Sequence, residues 1–208
     1  MPALMNDRLI YLASRSPRRR ELLRQIGVSF ELIPLREGPG RSADIDETPH
    51  AGERADDYVL RVTGDKARAA ARIIAARRVL PRPVLAADTT VVCDDDILGK
   101  PANAEEAADM LGRLAGRMHR VLTAVAVAAE ERMETRVSES RVWFRALDAA
   151  EIRRYVATGE SRDKAGAYAV QGLAAAFITR IDGSYSGIMG LPLAETAELL
   201  RSYGISIP

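Results

Sequence analysis

The chain has 208 residues, 47% of them hydrophobic, and its 30 basic and 29 acidic side chains leave a formal net charge of +1. This length allows one large domain or two small lobes. The near balance of charge argues against a protein dedicated to nucleic acid or to a membrane surface. Cys93 is the only cysteine, which excludes an internal disulfide framework and a cysteine-based zinc cluster. It lies in an apolar stretch, so we expect a small buried side chain there.

The sequence contains no apolar segment long enough for a transmembrane helix. Its first eight residues, MPALMNDR, also lack the basic-then-apolar order that is typical of a signal peptide. We therefore expect a cytoplasmic protein that has neither a membrane nor a nucleic acid as its partner.

The first predicted elements are a strand, a tight turn and a helix. Residues 9–13 are an apolar run, and Ser16 and Pro17 suit the N-cap and the first position of the helix that follows. A helix N-terminus attracts anions through its unpaired N–H groups and dipole. Arg18, Arg19 and Arg20 add donors suited to phosphate oxygens. These features alone leave two interpretations open, namely a phosphate cradle or an ordinary helix start with a solvated basic face.

An acidic group follows in a predicted loop. After a half-buried strand over residues 28–33, the glycine, proline and charge content of residues 36–52 predicts irregular structure. Asp44, Asp46 and Glu47 lie within it. Their carboxylates are candidate hard oxygen ligands for Mg²⁺ or Mn²⁺, although carboxylates in loops are more often simply solvated.

A long helix is predicted over residues 53–78, because its apolar residues recur in steps of three and four. Lys66 falls on the same stripe, four residues from both Val62 and Ala70. A lysine in this position either extends to solvent at the edge of the core or points at a charge in a cleft.

The apolar, β-branched run over residues 84–93 predicts a central strand that Asp88 interrupts. An unpaired buried carboxylate is costly, so Asp88 requires a metal, a cation or hydrogen-bond donors. It is a candidate functional residue, with a structural aspartate as the alternative. Thr89 follows directly and points to the opposite face of a regular strand. If both reach one pocket, we expect the strand to end or twist near residues 88–90.

The rest of the chain adds one further candidate and several elements. Lys100 lies in a Gly-Lys-Pro turn shortly after the central strand, where its ammonium can return over the strand's end. His50 and His119 are far apart in sequence and are a poor basis for a histidine-ligated metal site. We predict helices starting at Asn103 and Asp148 and over 192–203, a strand hairpin over 121–129 and 135–146, loops over 163–172 and 182–187, and a strand over 175–181.

Alternating strands and helices around a long hairpin predict an α/β fold with a mixed twisted sheet and flanking helices. The glycine-rich dinucleotide fingerprint, the Walker A pattern and a Gly-x-Ser-x-Gly nucleophile elbow are all absent from the sequence.

Eight stretches taken together resemble the Maf family of nucleoside triphosphate pyrophosphatases, which was formerly linked to inhibition of septum formation. They are LASRSPRRRELL (12–23), DIDET (44–48), YVLRV with KA (58–67), LAADTTV (85–91), GKP (99–101), LAGRMHRVLTAV (114–125), DKAGAYAVQG (163–172) and GSYSGIMGLPL (183–193). The resemblance implies a single domain over residues 1–208 with two lobes around a cleft, similar to the inosine triphosphate pyrophosphatases. It also implies hydrolysis of a nucleoside triphosphate to monophosphate and pyrophosphate with a divalent metal, Mg²⁺ or Mn²⁺.

The resemblance assigns roles to particular residues. It implies Asp88 as proton acceptor, with Glu47 and Asp88 as metal ligands and Lys66 and Lys100 neutralising charge on the phosphates. The choice between base and metal ligand stays open for Asp88. Similarity is greatest to the branch acting on dTTP and UTP, and the residues implied to bind the substrate are Ser14, Arg18, Arg19, Thr89 and Gln171.

Two other functions remain to be compared with this one. The first is a purine-directed pyrophosphatase that removes non-canonical nucleotides, and the second is a regulator of septum formation that binds nucleotides without turnover. The expected partner is a nucleoside triphosphate, and the resemblance leaves a homodimer open.

Overall fold

A computed structural model describes residues 9–36 and 44–207, and within them the chain forms one seven-stranded sheet with helices on both faces. No helix in these residues is long and apolar enough to cross a membrane. The strands are β1 (Leu9–Leu12), β2 (Ser29–Leu32), β3 (Val84–Cys93), β4 (Asp96–Leu98), β5 (Met118–Ala129), β6 (Arg132–Phe144) and β7 (Ile178–Asp182). The helices are α1 (Pro17–Gln25), α2 (Ala55–Arg77), α3 (Ala104–Leu114), α4 (Ala149–Ala157), α5 (Tyr185–Met189) and α6 (Leu193–Ser202).

The sheet is mixed, as the sequence predicts. Its order is β2-β1-β3-β5-β6-β7, with β4 paired to β3. Strands β2, β1 and β3 are parallel, whereas β3, β5, β6 and β7 are successively antiparallel. The three longest strands therefore lie side by side, and β3 lies where the parallel part meets the antiparallel part. The predicted division into two lobes stays a prediction.

The predicted helix starts are confirmed by their side-chain caps. Ser16 Oγ accepts from the Arg19 N–H at 3.4 Å, with Pro17 in the first turn of α1. Asn103 Oδ1 accepts from the Glu106 N–H at 2.9 Å at the start of α3, and Asp148 caps α4 in the same way. Each cap satisfies an N–H group that has no partner within its helix. The prediction of irregular structure over residues 36–52 falls partly on 37–43, which lie outside the described residues.

Two predictions in the last quarter of the chain are wrong. Residues 173–177 form a 3-10 turn, and the strand begins only at Ile178, because the Glu160 carboxylate accepts the N–H groups of Leu173 and Ala174 and starts a helical turn there. The predicted loop over 182–187 contains the start of α5. Ser184 caps this helix by accepting from the Gly187 N–H at 3.0 Å, so a serine-rich stretch becomes helical.

The side chains of β3 alternate between two apolar faces up to residue 88. Ala86 packs in the core beneath α2, and Ala87 packs in the core beneath α1 and α6. Further along, Val91 belongs to a third cluster with α3 and α4. Asp88, Thr89 and Thr90 thus form a polar step between apolar clusters on both faces of the sheet.

One edge of β3 is open at the same step. β1 pairs with β3 only as far as Leu85, and β4 pairs with it only from Val91. No strand in the described parts of the chain pairs with residues 86–90 on this side. On the other side the ladder to β5 is continuous from Val84 to Val92. The polar step therefore lies at a gap between two neighbouring strands, where a ligand can reach it.

We expect Gly183→Ala to destabilise the protein more than Gly204→Ala. Both glycines have positive φ, +126° and +77°, but a Cβ on Gly183 would lie 2.6 Å from Ser140 Oγ and 2.8 Å from Ser140 Cα, whereas Gly204 has open space. The strained φ alone costs about 1–3 kcal/mol, and the overlap at Gly183 adds about 1–3 kcal/mol. Urea unfolding measures the difference, and equal losses in the two variants would contradict the close approach of Gly183 to Ser140 of β6.

Candidate active site

The candidate site is built around the Lys66 ammonium. Lys66 Nζ lies 2.7 Å from Asp88 Oδ1 and 2.5 Å from Glu47 Oε1. Its side chain is only 4% exposed, whereas those of Asp88 and Glu47 are 13% and 23% exposed. The lysine on the core stripe of α2 therefore points at charge and does not extend to solvent. Three residues from separate segments meet here, as their predicted roles require.

The charges in this group support one another. Burial alone would lower the pKa of Lys66, but Asp88 and Glu47 outweigh it, and the pKa is raised. Burial alone would raise the pKa of Glu47, but Lys66, followed by Lys100, outweighs it, and this pKa is lowered. Lys66 and Glu47 are therefore both charged at neutral pH. A buried ammonium between two carboxylates is a stable arrangement only while all three remain in place.

Lys100 extends the group toward solvent. Its Nζ lies 3.7 Å from Glu47 Oε2, and its side chain is 52% exposed. The Gly-Lys-Pro turn that carries it is fixed by the Gly166 N–H, which donates to the Gly99 carbonyl at 3.1 Å. Lys100 therefore lies next to the Glu47 carboxylate, and its predicted return over the end of the strand stays a prediction.

A second group forms around Arg19 on the other face of β3. Arg19 Nη2 donates to Thr89 Oγ1 at 3.2 Å, Nη1 to Ser14 Oγ at 3.4 Å and Nε to the Gly190 carbonyl at 2.7 Å. Thr123, directly opposite on β5, donates to the Gly187 carbonyl at 2.8 Å, and its hydroxyl oxygen is hydrogen-bonded to Thr89 Oγ1 at 3.0 Å. The hydroxyl groups of Ser14 and Thr89 and the Gly190 carbonyl thus hold one guanidinium at the open edge.

Arg18 lies beside this group. Its Nε donates to the Met189 carbonyl at 3.2 Å, and it forms no ion pair with any carboxylate of the described residues. Burial and the neighbouring Arg19 charge lower the pKa of Arg18. Two adjacent guanidinium groups held by main-chain carbonyls repel each other, and an anion bound between them would relieve that repulsion.

The two groups form one electrostatic unit across the edge of β3. The charge of Arg19 acts on both Glu47 and Lys66. It adds to the lowering of the Glu47 pKa and partly offsets the raising of the Lys66 pKa. Asp88 and Thr89 nevertheless point to opposite faces, and β3 neither ends nor breaks its ladder with β5. The expected end of the strand at residues 88–90 is therefore wrong, but on its other side β3 pairs with no strand of the described residues over 86–90, so the expected break in the ladder is found there. The gap between β1 and β4 allows side chains from both faces to meet around the open edge.

Gln171 lies near the end of the predicted loop over residues 163–172. It is exposed and forms no side-chain hydrogen bond with residues 9–36 or 44–207. Its position is set by the next residues, because Glu160 accepts the N–H groups of Leu173 and Ala174 at 2.9 and 3.2 Å. A Cβ on Gly172 would lie 2.2 Å from Glu160 Oε2, so only glycine allows this close approach.

Sequence reasoning missed three contributors to the site. Thr123 fixes Thr89, while Tyr58 and Arg61 hold the main chain around Glu47. All three lie within stretches that resemble the Maf family, but a threonine in a strand and an arginine on a helix carry no local signal of their roles.

The two residues for which the sequence predicts structural roles are buried. Cys93 Sγ is fully buried and contacts the Arg113 carbonyl at 3.6 Å. His119 is hydrogen-bonded to the Tyr168 hydroxyl at 2.9 Å within an aromatic cluster. Burial lowers the pKa of His119 to about 4, so this histidine is neutral at physiological pH.

The oxygen donors fit a hard divalent cation. Glu47 and Asp88 already converge on one positive charge, the Lys66 ammonium. No cluster of three or more potential ligand side chains occurs among residues 9–36 and 44–207. Mg²⁺ is usually held by one or two carboxylates together with substrate phosphates and water. The donor set therefore suits a cation that binds with a phosphorylated substrate.

Comparison with known proteins gives consistent results. A family model described as Maf-like protein matches residues 9–203. The dTTP/UTP pyrophosphatase of Aromatoleum aromaticum is 59% identical over 196 residues, covering 94% of this chain and 95% of its own. Proteins of the same name from Methylobacillus flagellatus and Nitrosomonas europaea are 53% and 52% identical, covering 98% and 95% of this chain and 97% and 96% of their own.

Among solved structures, the Staphylococcus aureus Ham1 protein aligns with a TM-score of 0.40 and 16% sequence identity. The alignment covers 64% of this chain and 69% of that chain.

We expect Lys66→Met to destabilise the fold at neutral pH. The substitution leaves two partly buried carboxylates facing each other without their cation. Breaking a buried pair costs about 3–5 kcal/mol, and the partial exposure of Glu47 reduces this to about 1–3 kcal/mol. Arg68→Met is the matched control, because Arg68 lies on the same helix and, among the residues that the structure describes, its one ion pair is with Asp65 at the surface.

The loss depends on pH in a defined direction. The lowered pKa of Glu47 contributes stability above its unfolded value, and this is lost as the pH falls through the folded value. The raised pKa of Lys66 contributes stability below its unfolded value, and this is lost only at strongly alkaline pH. Wild type and Lys66→Met should therefore differ most between about pH 5 and 10, and the difference should shrink as the pH falls through the lowered pKa of Glu47. Urea unfolding without divalent cations measures this, and a pH-independent difference would contradict it.

Proposed function

This chain belongs to the Maf family, and we propose that it hydrolyses dTTP and UTP to dTMP and UMP with release of pyrophosphate. The observation that carries the proposal is the buried Lys66 ammonium between Asp88 and Glu47. It lies beside the Arg19 guanidinium, which Thr89 holds at the open edge of β3. The names of the 52–59% identical relatives support the same substrates. A protein that only binds nucleotides has no need of a partly buried carboxylate paired with a buried lysine at this edge.

The proposed reaction consumes one water. The water oxygen forms a bond to the α-phosphorus, the bond from this phosphorus to the bridging oxygen of the β-phosphate breaks, and pyrophosphate leaves. Asp88 accepts the water proton. Lys66 Nζ contacts Asp88 Oδ1, which leaves Oδ2 as the acceptor atom. A positioned base of this kind contributes about 10²–10⁴-fold to the rate.

The phosphates are bound by cationic donors in our proposal. Arg19 and Arg18 present forked donors at the N-terminal turn of α1, and Ser14 Oγ lies within the same group. Lys66 and Lys100 neutralise the charge that develops on the leaving pyrophosphate. Donors that are already oriented stabilise the transition state without having to reorganise.

Glu47 and Asp88 would hold the Mg²⁺ or Mn²⁺ ion. When bound, the ion would withdraw negative charge from the phosphate oxygens and help to orient them. Cytoplasmic location is part of the proposal, because nucleoside triphosphates are available there.

Base selection is assigned to Gln171, in the turn anchored by Glu160. A glutamine amide offers one acceptor and two donors, which match the alternating carbonyl and N–H edge of uracil and thymine. A site that pairs such groups rejects a mismatched base, because its polar atoms then lose their partners.

We expect the wild-type enzyme to release pyrophosphate from dTTP and UTP faster than from CTP, GTP or ATP, and only with Mg²⁺ or Mn²⁺. The measurement is kcat/KM for each nucleotide, with and without EDTA. A preference for purine nucleotides would support the purine-directed alternative. Tight metal-dependent binding without turnover would support the regulator.

We expect Asp88→Asn to retain the fold with reduced stability, because Lys66 keeps its pair with Glu47 but loses the Asp88 charge. It should lower kcat about 10²–10⁴-fold, because asparagine keeps the shape but cannot accept the proton. Asp96→Asn is the control, since Asp96 is an exposed residue of β4 that pairs with Arg113. Thermal unfolding verifies the fold of both variants. Activity of Asp88→Asn within a few-fold of the control would exclude Asp88 as the base.

Gln171→Ala should lower the preference for dTTP over CTP and leave stability unchanged, because the Gln171 side chain is exposed. The loss of one base-pairing contact predicts a change in the ratio of about 10-fold or more. Leu173→Ala, at the neighbouring exposed position, is the control. An unchanged dTTP to CTP ratio would remove Gln171 from the account of selectivity.

A further inference from the structure

The segment that carries Glu47 has almost no regular structure of its own. Apart from a single bridge residue at Ile45, residues 44–54 form neither helix nor strand. A carboxylate on such a segment is poorly placed for catalysis unless other elements fix it, because sites built on loops are less precise than those built on helices or strands.

We propose that Tyr58 and Arg61 are positioning residues that fix the Glu47 carboxylate by binding the main chain of residues 46–48. Both lie in the first two turns of α2, and neither is expected to touch the substrate. Their effect on catalysis rests on the proposed function. Their effect on the Glu47 segment does not.

Three consecutive carbonyls accept hydrogen bonds from these two side chains. Arg61 Nη1 donates to the Asp46 carbonyl at 3.4 Å, the Tyr58 hydroxyl to the Glu47 carbonyl at 3.0 Å, and Arg61 Nη2 to the Thr48 carbonyl at 3.1 Å. Each peptide unit around Glu47 is thus tied to the helix. The direction in which the Glu47 side chain leaves the main chain is set by these contacts.

Arg61 is itself held in place. Its Nε and Nη2 donate to the two oxygens of Glu53 at 2.6 and 2.8 Å, a bidentate pair, and its guanidinium stacks over the Tyr58 ring at 5.6 Å. The Arg61 hydrogen bond lowers the pKa of Glu53 to about 2, so the pair stays charged at all physiological pH values.

The same helix holds the other end of Glu47. Tyr58 and Lys66 are eight residues apart, about two helical turns, so they lie on one face of α2. Tyr58 binds the Glu47 carbonyl, and Lys66 binds the Glu47 carboxylate. A single rigid element therefore fixes both the main chain and the charged group of this residue.

Tyr58 and Arg61 together form a clamp on the Glu47 segment, and their contacts predict what is lost when this clamp is removed. Without Arg61, Lys66 still attracts Glu47, but the main chain around Glu47 can move. Outer residues that orient a ligand or catalytic group typically change activity about 10–100-fold. We expect Arg61→Ala to lower kcat in this range with KM for dTTP changed less than about threefold, Tyr58→Phe to have a smaller effect in the same direction, and Arg61→Lys to recover part of it.

The clamp can be tested without any assay of activity. Amide hydrogen exchange followed by mass spectrometry should show faster exchange over residues 44–53 in Arg61→Ala, with the sheet strands unchanged. Arg68→Ala on the same helix, which loses a surface pair with Asp65, should leave this segment as in the wild type. Equal exchange in Arg61→Ala and Arg68→Ala would overturn the proposal.

A double-mutant cycle tests whether Arg61 acts through Glu47. If it does, Arg61→Ala should cost little further activity in a Glu47→Gln background. Multiplying effects of the two substitutions would show that Arg61 acts independently and would overturn the proposal. A Glu47→Gln variant as active as the wild type, alongside an impaired Arg61→Ala, would overturn it as well.

The proposed function and the fixing of the Glu47 segment by Tyr58 and Arg61 can fail separately. If the wild type does not release pyrophosphate from dTTP or UTP, the proposed function fails, and the exchange experiment still decides whether Tyr58 and Arg61 fix the segment. If the wild type is active and exchange over 44–53 is unaffected by Arg61→Ala, the proposed function stands and the clamp fails.

Discussion

The site depends on one buried ammonium. Lys66 is nearly inaccessible, yet it carries a charge because Asp88 and Glu47 lie within 2.7 Å of its Nζ. Removing either carboxylate, or the lysine, leaves charge in the protein interior without a partner, which is more costly than never burying it. Keeping these three groups together requires the packing of α2 against the sheet, the polar residue in the middle of β3 and an ordered Glu47 segment.

The sheet accommodates this charge by leaving an edge open where the polar residues lie. If β1 continued beside β3, Asp88 and Thr89 would lie on separate faces of an interior strand, and no ligand could contact both. Because β1 ends and β4 begins only later, Arg19 can reach Thr89 on one face while its charge acts on Lys66 and Glu47 from the other. The interruption in strand pairing thus joins two half-sites.

Much of this could be predicted from sequence where the signal is local. Asp88 is a charged residue inside an apolar strand, and Lys66 is a charged residue on the apolar stripe of a helix. Ser16 is a preferred N-cap residue. Each of these signals can be read from a few neighbouring residues. The contribution of Tyr58 and Arg61 could not be predicted, because it depends on which carbonyls face the helix. A lysine near a cleft also suggests that alanine would be tolerated at position 66; the structure reverses this expectation, since two carboxylates would then lose their cation.

The cations of the site are held by two different kinds of partner, and the difference has a chemical consequence. Lys66 is paired with carboxylates, which fix it but also offset its charge. The Nε groups of Arg18 and Arg19 are oriented by main-chain carbonyls at the end of α5, and the terminal nitrogens of Arg19 by hydroxyl groups. Neutral oxygens orient a guanidinium without cancelling its charge. These contacts thus orient Arg18 and Arg19 without placing negative charge beside them, whereas the contacts that fix Lys66 place two carboxylates beside it.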